Sequence, residues 1–396
     1  MARLAEAGPA KTGQGWHTAS KLWNIMLTLP LRGMKSKEIT DRAPSMQDFA
    51  DEAEPGLDET DLALAHAMQI APRATWTELG AVLGLSAATA ARRWGRLSET
   101  GQAWVTATGS PALWRSFCNA FLDVDCVPSQ RREVALALAR DARTKAVLEL
   151  TSGCDLHVNV ITRDLSALSR FALDHVSLLP GVLKVATQVG TRIYQAGDSW
   201  RLNALSRAQR EQLRPGAPVT EPDAQPGRLP AADRELLLAL APDGRRTVTE
   251  LAEGTGASHT ATRRRLSRLV STGAVSFRCE ISQNLTGWPV TTMLRGRVPY
   301  TERKGAAAQL ARMPEVRQLV ATSGSANILA STWLHSVDDA LELEERISSA
   351  LPGFEIVDHA IVLRTVKRQG WILDSLGRRA ECVPIDPWFR DDGLQT

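Results

Sequence analysis

An arginine-rich stretch of the chain carries the side chains that commonly recognise nucleic acids. Between Ser258 and Arg278 there are five arginines and no acidic residue. Arginine pairs bidentately with guanine or clamps phosphates, and serine, threonine and histidine add shorter contacts to base edges or to the backbone. An isolated run of this kind is also typical of a solvated helix face. The residues predicted to contact DNA here are Ser258, His259, Thr260, Arg263, Arg264, Arg268 and Arg278, the last two through phosphates.

The sequence around this face occurs twice. The stretches 57–105 and 229–277 align without a gap at an offset of 172 residues, which indicates a duplicated structural unit. The first copy has alanines at several of the outward positions and a glycine, Gly95, inside the helix, so it is predicted to be the weaker reader, with a scaffold role as the alternative. Its predicted DNA contacts are Ser86, Thr89, Arg92, Arg93 and Arg96.

Start and stop signals predict a helix-turn-helix in each copy. Thr75 is followed three residues later by Glu78, which is the spacing of a capping box. Gly84 then suits a left-handed turn, and Ser86 can cap the next helix. Alternating runs after Gly101 and its counterpart predict a wing hairpin. We therefore expect winged helix-turn-helix domains over 57–108 and 229–281.

A second pattern follows each helical unit, in the order strand, helix, strand, strand, helix, strand. It spans 112–206 in the first copy and 288–370 in the second, and predicts a four-stranded antiparallel sheet with two helices on one face. The tripeptide TSG begins at Thr151 and again at Thr322, so one residue is predicted to be gained or lost near that loop. The fold class is α+β, with two winged helix-turn-helix domains alternating with two ferredoxin-like βαββαβ domains.

With these motifs in place, each half resembles the leucine-responsive regulators of the Lrp/AsnC family. The resemblance rests on LDETD from Leu57, TEL from Thr77 and Thr249, RRWGRL from Arg92 and RRRLSRL from Arg263. It implies a transcriptional regulator with an amino-terminal winged helix-turn-helix, which binds double-stranded DNA. It also implies a sheet domain that self-associates and binds small effectors, commonly amino acids.

The resemblance also implies an effector loop between the second and third strands of each sheet, reading glycine, two residues, aspartate. The first copy departs from this pattern with Gly153 and Asp155, and the second has Gly324 and Asn327. A carboxylate could hold the amino group of an amino acid as a charge-assisted pair, and an amide would hold it less strongly. The alternative is that both loops are plain turns in which glycine supplies a positive φ.

Composition limits the other classes of function. The formal charge is only +3, so the basic character is local to the helix-turn-helix units. The five cysteines form no CxxC pair and read as reduced thiols, and we expect no metal and no cofactor other than an amino-acid effector. No apolar run reaches the roughly 18 residues of a membrane span. A cytoplasmic, nucleoid-associated protein without a membrane partner is expected.

The segments outside the repeats have weaker signals. Residues 1–56 are predicted to be a flexible extension, and Met34 or Met46 could be the true translation start. The segment 207–228 is rich in proline, glutamine and glycine and is predicted to be an extended, mobile linker. The tail 371–396 is expected to lie over the second sheet.

A covalent tandem can build a regulator dimer from one chain, so we predict an intrachain pseudo-twofold dimer that reads an imperfect palindrome. Two alternatives remain open. A tetrapyrrole (siroheme-type) decarboxylase on the same scaffold would need histidines and arginines at a shared pocket, yet no histidine recurs at matching positions of the sheet domains. A ligand-sensing module without DNA binding is the other. The histidines in or near the sheet domains, on which the decarboxylase alternative depends, are His157, His175, His335 and His359.

Overall fold

The computed structural model describes residues 57–197, 200–213 and 229–389. The predicted amino-terminal extension and the two candidate start methionines lie outside the described residues. Within the described ranges, both copies of the repeat fold as the capping signals indicate.

The first helix-turn-helix consists of α1 (Glu59–Ile70), α2 (Trp76–Leu83) and α3 (Ala87–Glu99). The predicted capping box is present, with Glu78 N donating to Thr75 Oγ1 at 3.2 Å and Thr75 N donating to Glu78 Oε2 at 2.7 Å. Gly84 ends α2 with a φ of 68°, and Ser86 caps α3 by accepting from Thr89 N at 3.1 Å. Trp94 and Leu97 are buried, so α3 presents its opposite face outward.

The second helix-turn-helix repeats this construction. Its helices are α8 (Ala231–Ala239), α9 (Val248–Thr255) and α10 (His259–Ser271), and they follow α7 (Arg207–Gln212) in the chain. Thr247 and Glu250 form the capping box, Gly256 has a φ of 63°, and Ser258 Oγ accepts from Ala261 N at 3.3 Å. The same local signals therefore place a recognition helix in each copy.

The predicted wing hairpins are wrong. Each copy contributes one strand, β1 (Ala103–Gly109) or β6 (Val275–Ile281), and the two strands pair with each other antiparallel. The register places Thr106 opposite Arg278, which are matched positions of the repeat, so the ribbon is centred on a pseudo-twofold axis. After β1 the chain forms a short helix, α4 (Pro111–Trp114), and not the second strand of a hairpin. The edge of β1 is instead paired with β6 of the other copy.

Each helix-turn-helix core includes the strand of the other copy. In the first core, Leu64, Met68 and Trp94 pack with Cys279 and Ile281 of β6. In the second, Leu236 of α8, Leu240 at its carboxyl-terminal cap and Leu269 of α10 pack with Ala107 and Leu113 from the first copy. The two helix-turn-helix domains are thus joined through shared apolar cores.

Two arginines at matched positions tie the domains together reciprocally. Arg245 donates from Nη1 to Pro72 O at 2.6 Å and from Nη2 to Ala74 O at 2.9 Å, both in the first copy. Arg73 donates to the carbonyls of Gly244 and Arg246 in the second copy. Arg245 also lies 4.2 Å from the ring of Trp76 in a cation–π contact.

The first sheet domain has the predicted βαββαβ order. Its elements are β2 (Cys118–Cys126), α5 (Arg131–Arg140), β3 (Thr144–Leu150), β4 (Leu156–Thr162), α6 (Leu165–Ser169) and β5 (Val182–Gln195). A π turn over Arg170–His175 and a 3-10 turn over Val176–Leu178 continue α6. The strands are ordered β3-β4-β2-β5, and Val134, Leu138 and Phe171 pack the helices on one face.

The second sheet domain repeats the first. Its elements are β7 (Val290–Arg297), α11 (Arg303–Leu310), β8 (Val316–Thr322), β9 (Ile328–Leu334), α12 (Asp339–Ala350) and β10 (Glu355–Arg368), with strand order β8-β9-β7-β10. The strands on either side of the first loop both keep the 172-residue offset, so the predicted gain or loss of a residue there is wrong. Only the glycine has moved within a loop of equal length.

The two sheets close on each other. β5 pairs with β8 and β10 pairs with β3, both antiparallel, which completes a ring of eight strands. The helix-free faces look inward, where Phe121, Leu150, Met293 and Leu329 form a shared apolar cluster. The predicted pseudo-twofold arrangement within one chain is therefore the arrangement of both the helical and the sheet domains.

Two connecting segments differ from expectation. Part of the predicted linker is the helix α7 (Arg207–Gln212), capped by Ser206 and anchored where Gln209 Nε2 donates to Val82 O at 3.1 Å. Leu213 is buried in the first helix-turn-helix core, which fixes the end of this helix. The rest of the linker, 214–228, lies outside the described residues.

The described part of the carboxyl-terminal segment packs mainly on the first copy and also touches the second helix-turn-helix, and it does not lie over the second sheet. β11 (Trp371–Leu373) and β12 (Arg379–Cys382) form a hairpin that extends the end of β10. Arg379 Nη2 donates to Ser98 O at 2.7 Å, and the Trp388 ring lies 5.0 Å from that of Phe117. The tail also covers apolar side chains of the first copy, among them Trp104 and Phe117.

The reciprocal arginines can be tested by unfolding. We expect Arg245→Met to lower the free energy of unfolding by about 2 kcal/mol, because two hydrogen bonds from a charged donor to partly buried carbonyls are lost. The measurement is urea denaturation followed by circular dichroism. The control Arg263→Met, on the exposed face of α10, should change stability by less than about 0.5 kcal/mol. Equal losses in the two variants would contradict the cross-domain role.

Candidate nucleic-acid interface and the interior between the sheets

The outward face of α10 presents the predicted DNA-contacting side chains. Ser258, the cap of the helix, is exposed, and the basic and hydroxyl residues of the first two turns follow it. None of those residues is covered by the tail or by the sheet domains within the described ranges. The exposed set comprises Ser258, His259, Thr260, Arg263, Arg264 and Arg268.

The matching face of α3 carries shorter side chains. Ala87 and Ala88 stand where α10 has His259 and Thr260, and Ala91 stands in place of Arg263. Ser86 and Arg92 are exposed. Thr89 is partly buried, and its hydroxyl accepts from Ser86 Oγ at 2.9 Å. The first copy thus retains one outward arginine, at the position that corresponds to Arg264, without an ion pair among the described residues.

Three of the arginines predicted to contact DNA form ion pairs within the protein. Arg93 pairs with Asp58 at 2.7 Å and with Asp61 at 2.9 Å, and Arg96 also pairs with Asp61, which is buried. In the second copy Arg268 pairs in the same way with the buried Asp233. These arginines fasten the recognition helix to the first helix of its own unit, while Arg96 and Arg268 stay about half exposed.

Arg278 is not a surface residue, so its predicted phosphate contact is wrong. It lies at the centre of the β1–β6 ribbon with 8% of its surface exposed, and its guanidinium donates to Glu280 Oε1 at 2.8 Å. The alternation of β6 predicted a strand correctly but gave no sign that both of its faces are covered. The sheet domains and the first helix-turn-helix enclose β6 and Arg278 on it.

Glu280 collects three guanidinium groups in the interior. Besides Arg278, it pairs with Arg317 Nη2 of β8 at 2.9 Å and with Arg368 Nε of β10 at 3.1 Å. Burial alone would raise the pKa of Glu280, but the three arginines lower it to about 2. Burial also lowers the pKa of Arg317 to about 9, against the opposing effect of Glu280. Arg317 lies 3.8 Å from the ring of Trp333.

A cavity of about 80 Å³ adjoins this cluster inside the ring of strands. Both sheets contribute to its walls, and all three arginines of the cluster are among the lining residues. The remaining described walls are mostly amides, hydroxyls and apolar groups. They include His157, Asn159, Gln283, Thr291, Met293, Gln318, Ser331, Trp333, Thr365 and Gln369.

The predicted effector loops have internal partners. Asp155 accepts from Cys126 N at 2.7 Å and from Arg131, so its carboxylate fixes the end of β2 and the start of α5. Asn327 donates to Val298 O at 2.7 Å and accepts from Val298 N at 3.1 Å. The predicted role of these two side chains in holding an amino group is therefore not supported by their contacts.

The two loop glycines serve the turns themselves. Gly153 has a φ of 77° and Gly324 a φ of 103°, values that an L side chain rarely adopts. A Cβ at position 153 would also lie 2.7 Å from Asp358 Oδ2 of the second sheet. The interpretation of both loops as plain turns accounts for these glycines.

The sheet histidines do not share a pocket. His157 Nδ1 lies 2.8 Å from Asp123 Oδ1, and Arg295 Nη2 donates to the same oxygen at 2.7 Å. Burial would raise the pKa of Asp123, but His157 and Arg295 lower it to about 2. His359 lies elsewhere, with its ring nitrogens 2.6 Å from Glu344 Oε1 and Thr292 Oγ1.

Some residues that recur in the repeat stabilise the structure, although no function is predicted for them from the sequence. Asp61 recurs as Asp233, and Arg73 recurs as Arg245. Identity at these matched positions of two otherwise diverged copies is the sequence signal that indicates a structural role. Glu280 had no such signal because it does not recur. Among the described residues, no group of histidine, cysteine and acidic side chains is arranged to bind a metal ion, and no helix is long and apolar enough to cross a bilayer.

Family models match the helix-turn-helix of both copies and the sheet domain of the second copy. The model of the AsnC-type helix-turn-helix domain matches residues 57–98 and 231–270, and that of the Lrp/AsnC ligand binding domain matches residues 301–372. The chain is 26% identical over 136 residues to the HTH-type transcriptional regulator LrpA of Pyrococcus horikoshii, covering 34% of this chain and 96% of the relative. An uncharacterized HTH-type transcriptional regulator of the same organism is 26% identical over 157 residues, covering 39% and 97%.

Among solved structures, the siroheme decarboxylase NirDL is similar over both units. Its TM-score is 0.52 at 14% sequence identity, with 78% of this chain and 93% of that chain covered. At this identity the likeness extends to the fold alone. The Pyrococcus relatives, by contrast, are the length of a single unit.

The Glu280 cluster predicts a pH dependence of stability. Because its folded pKa of about 2 lies below the ordinary value of 4.5, Glu280 contributes stability above pH 5 that is lost as the pH falls toward 2. The gap in unfolding free energy between the wild type and Glu280→Gln should therefore shrink by about 2 kcal/mol between pH 6 and pH 3. Urea titrations at several pH values measure it, and a gap independent of pH would contradict the assignment.

Proposed function

The chain is a tandem member of the Lrp/AsnC family, and on that basis we propose that it is a sequence-specific DNA-binding transcriptional regulator. Its two units act as an intrachain pseudo-dimer on one imperfect palindrome in double-stranded DNA. The observation that carries the proposal is the exposed basic face of α10 on a capped helix-turn-helix, joined by the β1–β6 ribbon to a second helix-turn-helix.

Dimeric helix-turn-helix proteins place their two recognition helices in successive major grooves, about 34 Å apart. Here the ribbon, the shared cores and the reciprocal Arg73 and Arg245 contacts fix the two domains to each other through described residues. A fixed pair reads both half-sites without a separate association step. The covalent link supports binding as a single chain. We also propose that further copies associate through the sheet domains.

The two readers should prefer different half-sites. α10 offers His259, Arg263 and Arg264, whereas the matched positions of α3 are Ala87, Ala91 and Arg92. Each bidentate arginine–guanine pair discriminates by about 1–3 kcal/mol, so the second half-site should be read more stringently. An alanine face can still make apolar contacts to thymine methyl groups. The operator is therefore expected to be an imperfect palindrome.

An enzymatic role on the same scaffold is less well supported. The interior cavity of about 80 Å³ is far below the roughly 300–1,000 Å³ of pockets that enclose drug-sized ligands, and a tetrapyrrole is larger than most of those ligands. The histidines of the sheets belong to separate polar networks. We therefore propose a regulator that is not an enzyme and that acts in the cytoplasm on the nucleoid.

Selection of genomic fragments tests the proposal. The purified full chain is incubated with fragments of the source genome at physiological salt, with and without a mixture of amino acids. We expect enrichment of a few asymmetric sites, and a change on adding amino acids would support an amino-acid effector. A symmetric consensus would contradict the division between strong and weak readers, and absence of enrichment would contradict the regulator.

Matched arginine variants sharpen this test. Arg264→Ala should weaken binding to a selected site about 5- to 150-fold and relax one base position, because a base-reading arginine is lost. Arg92→Ala removes the matched residue of the weaker reader and should have a smaller effect. Electrophoretic mobility shifts on site variants measure both. Equal losses on every sequence, with a reduced salt dependence, would indicate phosphate binding instead of base reading.

A further inference from the structure

The charges around the interior cavity do not balance among the described residues. Arg278, Arg317 and Arg368 line the cavity, and the carboxylate of Glu280 is the acidic group that pairs with all three. None of the described lining residues is acidic. Counted over the described residues alone, three guanidiniums against one carboxylate give a local formal charge of +2 in a largely buried region. Uncompensated charge in a protein interior is costly, which favours an anionic occupant.

Neutral groups of the cavity wall can complete the coordination of an anion. Gln318 and Gln369 provide amide donors and Ser331 provides a hydroxyl. The Thr291 hydroxyl already donates to Gln283 Oε1 at 2.7 Å, and Gln283 Nε2 donates to Trp288 O at 2.8 Å. His157, which is 3% exposed, has its Nε2 buried without a hydrogen-bond partner among the described residues. A ring nitrogen that carries a proton there would find an acceptor in such an occupant.

We propose that this cavity binds a small doubly charged oxyanion, either inorganic phosphate or a short dicarboxylate. Guanidinium groups bind carboxylate and phosphate oxygens bidentately, and this chemistry is common to both ligands. A volume of about 80 Å³ admits an ion of two or three water-sized groups, each about 30 Å³. The site is separate from the loops at Gly153 and Gly324.

The position of the site connects it to the DNA-binding domains. Arg278 sits at the centre of the β1–β6 ribbon, while Arg317 and Arg368 belong to the second sheet. Arg368 Nη2 also donates to Ile281 O at the end of β6, at 2.7 Å. An anion shared by the three arginines would brace the ribbon against the sheets, so it is positioned to alter DNA affinity. This regulatory part rests on the proposed function.

Binding is tested first without DNA, so that it does not depend on the regulator proposal. The full chain is titrated in a calorimeter with sodium phosphate and, separately, with sodium succinate, each against sodium chloride at matched ionic strength and pH 7. We expect saturable binding of at least one of the two dianions at one site per chain. Absence of binding of both, relative to chloride, would overturn the proposal.

Variants of the wall locate the site. Ser331→Leu fills the cavity without changing charge, and Arg317→Gln removes one donor, so each should weaken the dianion at least tenfold. Glu280→Gln removes the competing carboxylate and should tighten it severalfold. If Glu280→Gln is unstable, the same effect should appear as a rise in its melting temperature with the dianion that exceeds the rise in the wild type.

The exposed arginines of α10 are the alternative anion site. Arg264→Ala should leave dianion binding unchanged, whereas binding that is lost in Arg264→Ala and retained in Ser331→Leu would overturn the interior site. The regulatory part is then measured as the DNA affinity of the wild type with and without the bound dianion. Unchanged DNA affinity in the wild type would refute that part alone, and absence of DNA binding would refute the regulator without affecting the calorimetric result.

Discussion

The antiparallel pairing of β1 with β6 is the constraint on which the rest of the structure depends. Each strand follows a recognition helix in the chain and runs on toward a sheet domain, so the pairing fixes two readers and two sheets at once. Its centre, between Thr106 and Arg278, defines the pseudo-twofold relation that the arginine contacts and the closed strand ring both follow. Because α1 packs on β6 and α8 packs near β1, neither helix-turn-helix core is complete without the other copy.

The shared cores bear on how the protein would bind DNA. Rigidly joined readers lose little orientational freedom on engaging a second half-site, which favours cooperative reading of both. The ion pairs of Asp61 and Asp233 serve the same end at a smaller scale, because they hold each recognition helix against the first helix of its unit. Side chains left outside these contacts, above all Arg263 and Arg264, are free to carry sequence preference.

The elements could be predicted from the sequence because their signals are local. Capping boxes, left-handed glycines and the βαββαβ order each depend on residues a few positions apart, and all are confirmed. The wing and the tail could not be predicted, because the partner of β1 is 172 residues away and the tail packs on the first copy. For the same reason Arg278 was assigned to the surface. Alternation shows which residues share a face of a strand, but not what covers that face.

Some residues of the interior make sense only in a tandem. Asp123 and Arg295 occupy matched positions of the repeat and form an ion pair at 2.7 Å across the pseudo-twofold axis. A homodimer of either unit would bring two aspartates or two arginines together at that place, which is unfavourable in a buried setting. The two halves are therefore complementary in charge, and each specifies the other half as its partner.

The same argument applies to the arginine cluster. At the positions of the first copy that correspond to Arg278, Glu280 and Arg317 stand Thr106, Thr108 and Lys145, so the cluster exists once. A symmetric dimer would have to carry two such clusters, one on either side of its axis at the centre of the ribbon, and so would double the buried charge there. Duplication followed by divergence removes that restriction. It allows a single, one-sided polar site at the junction of ribbon and sheets, where an occupant contacts both.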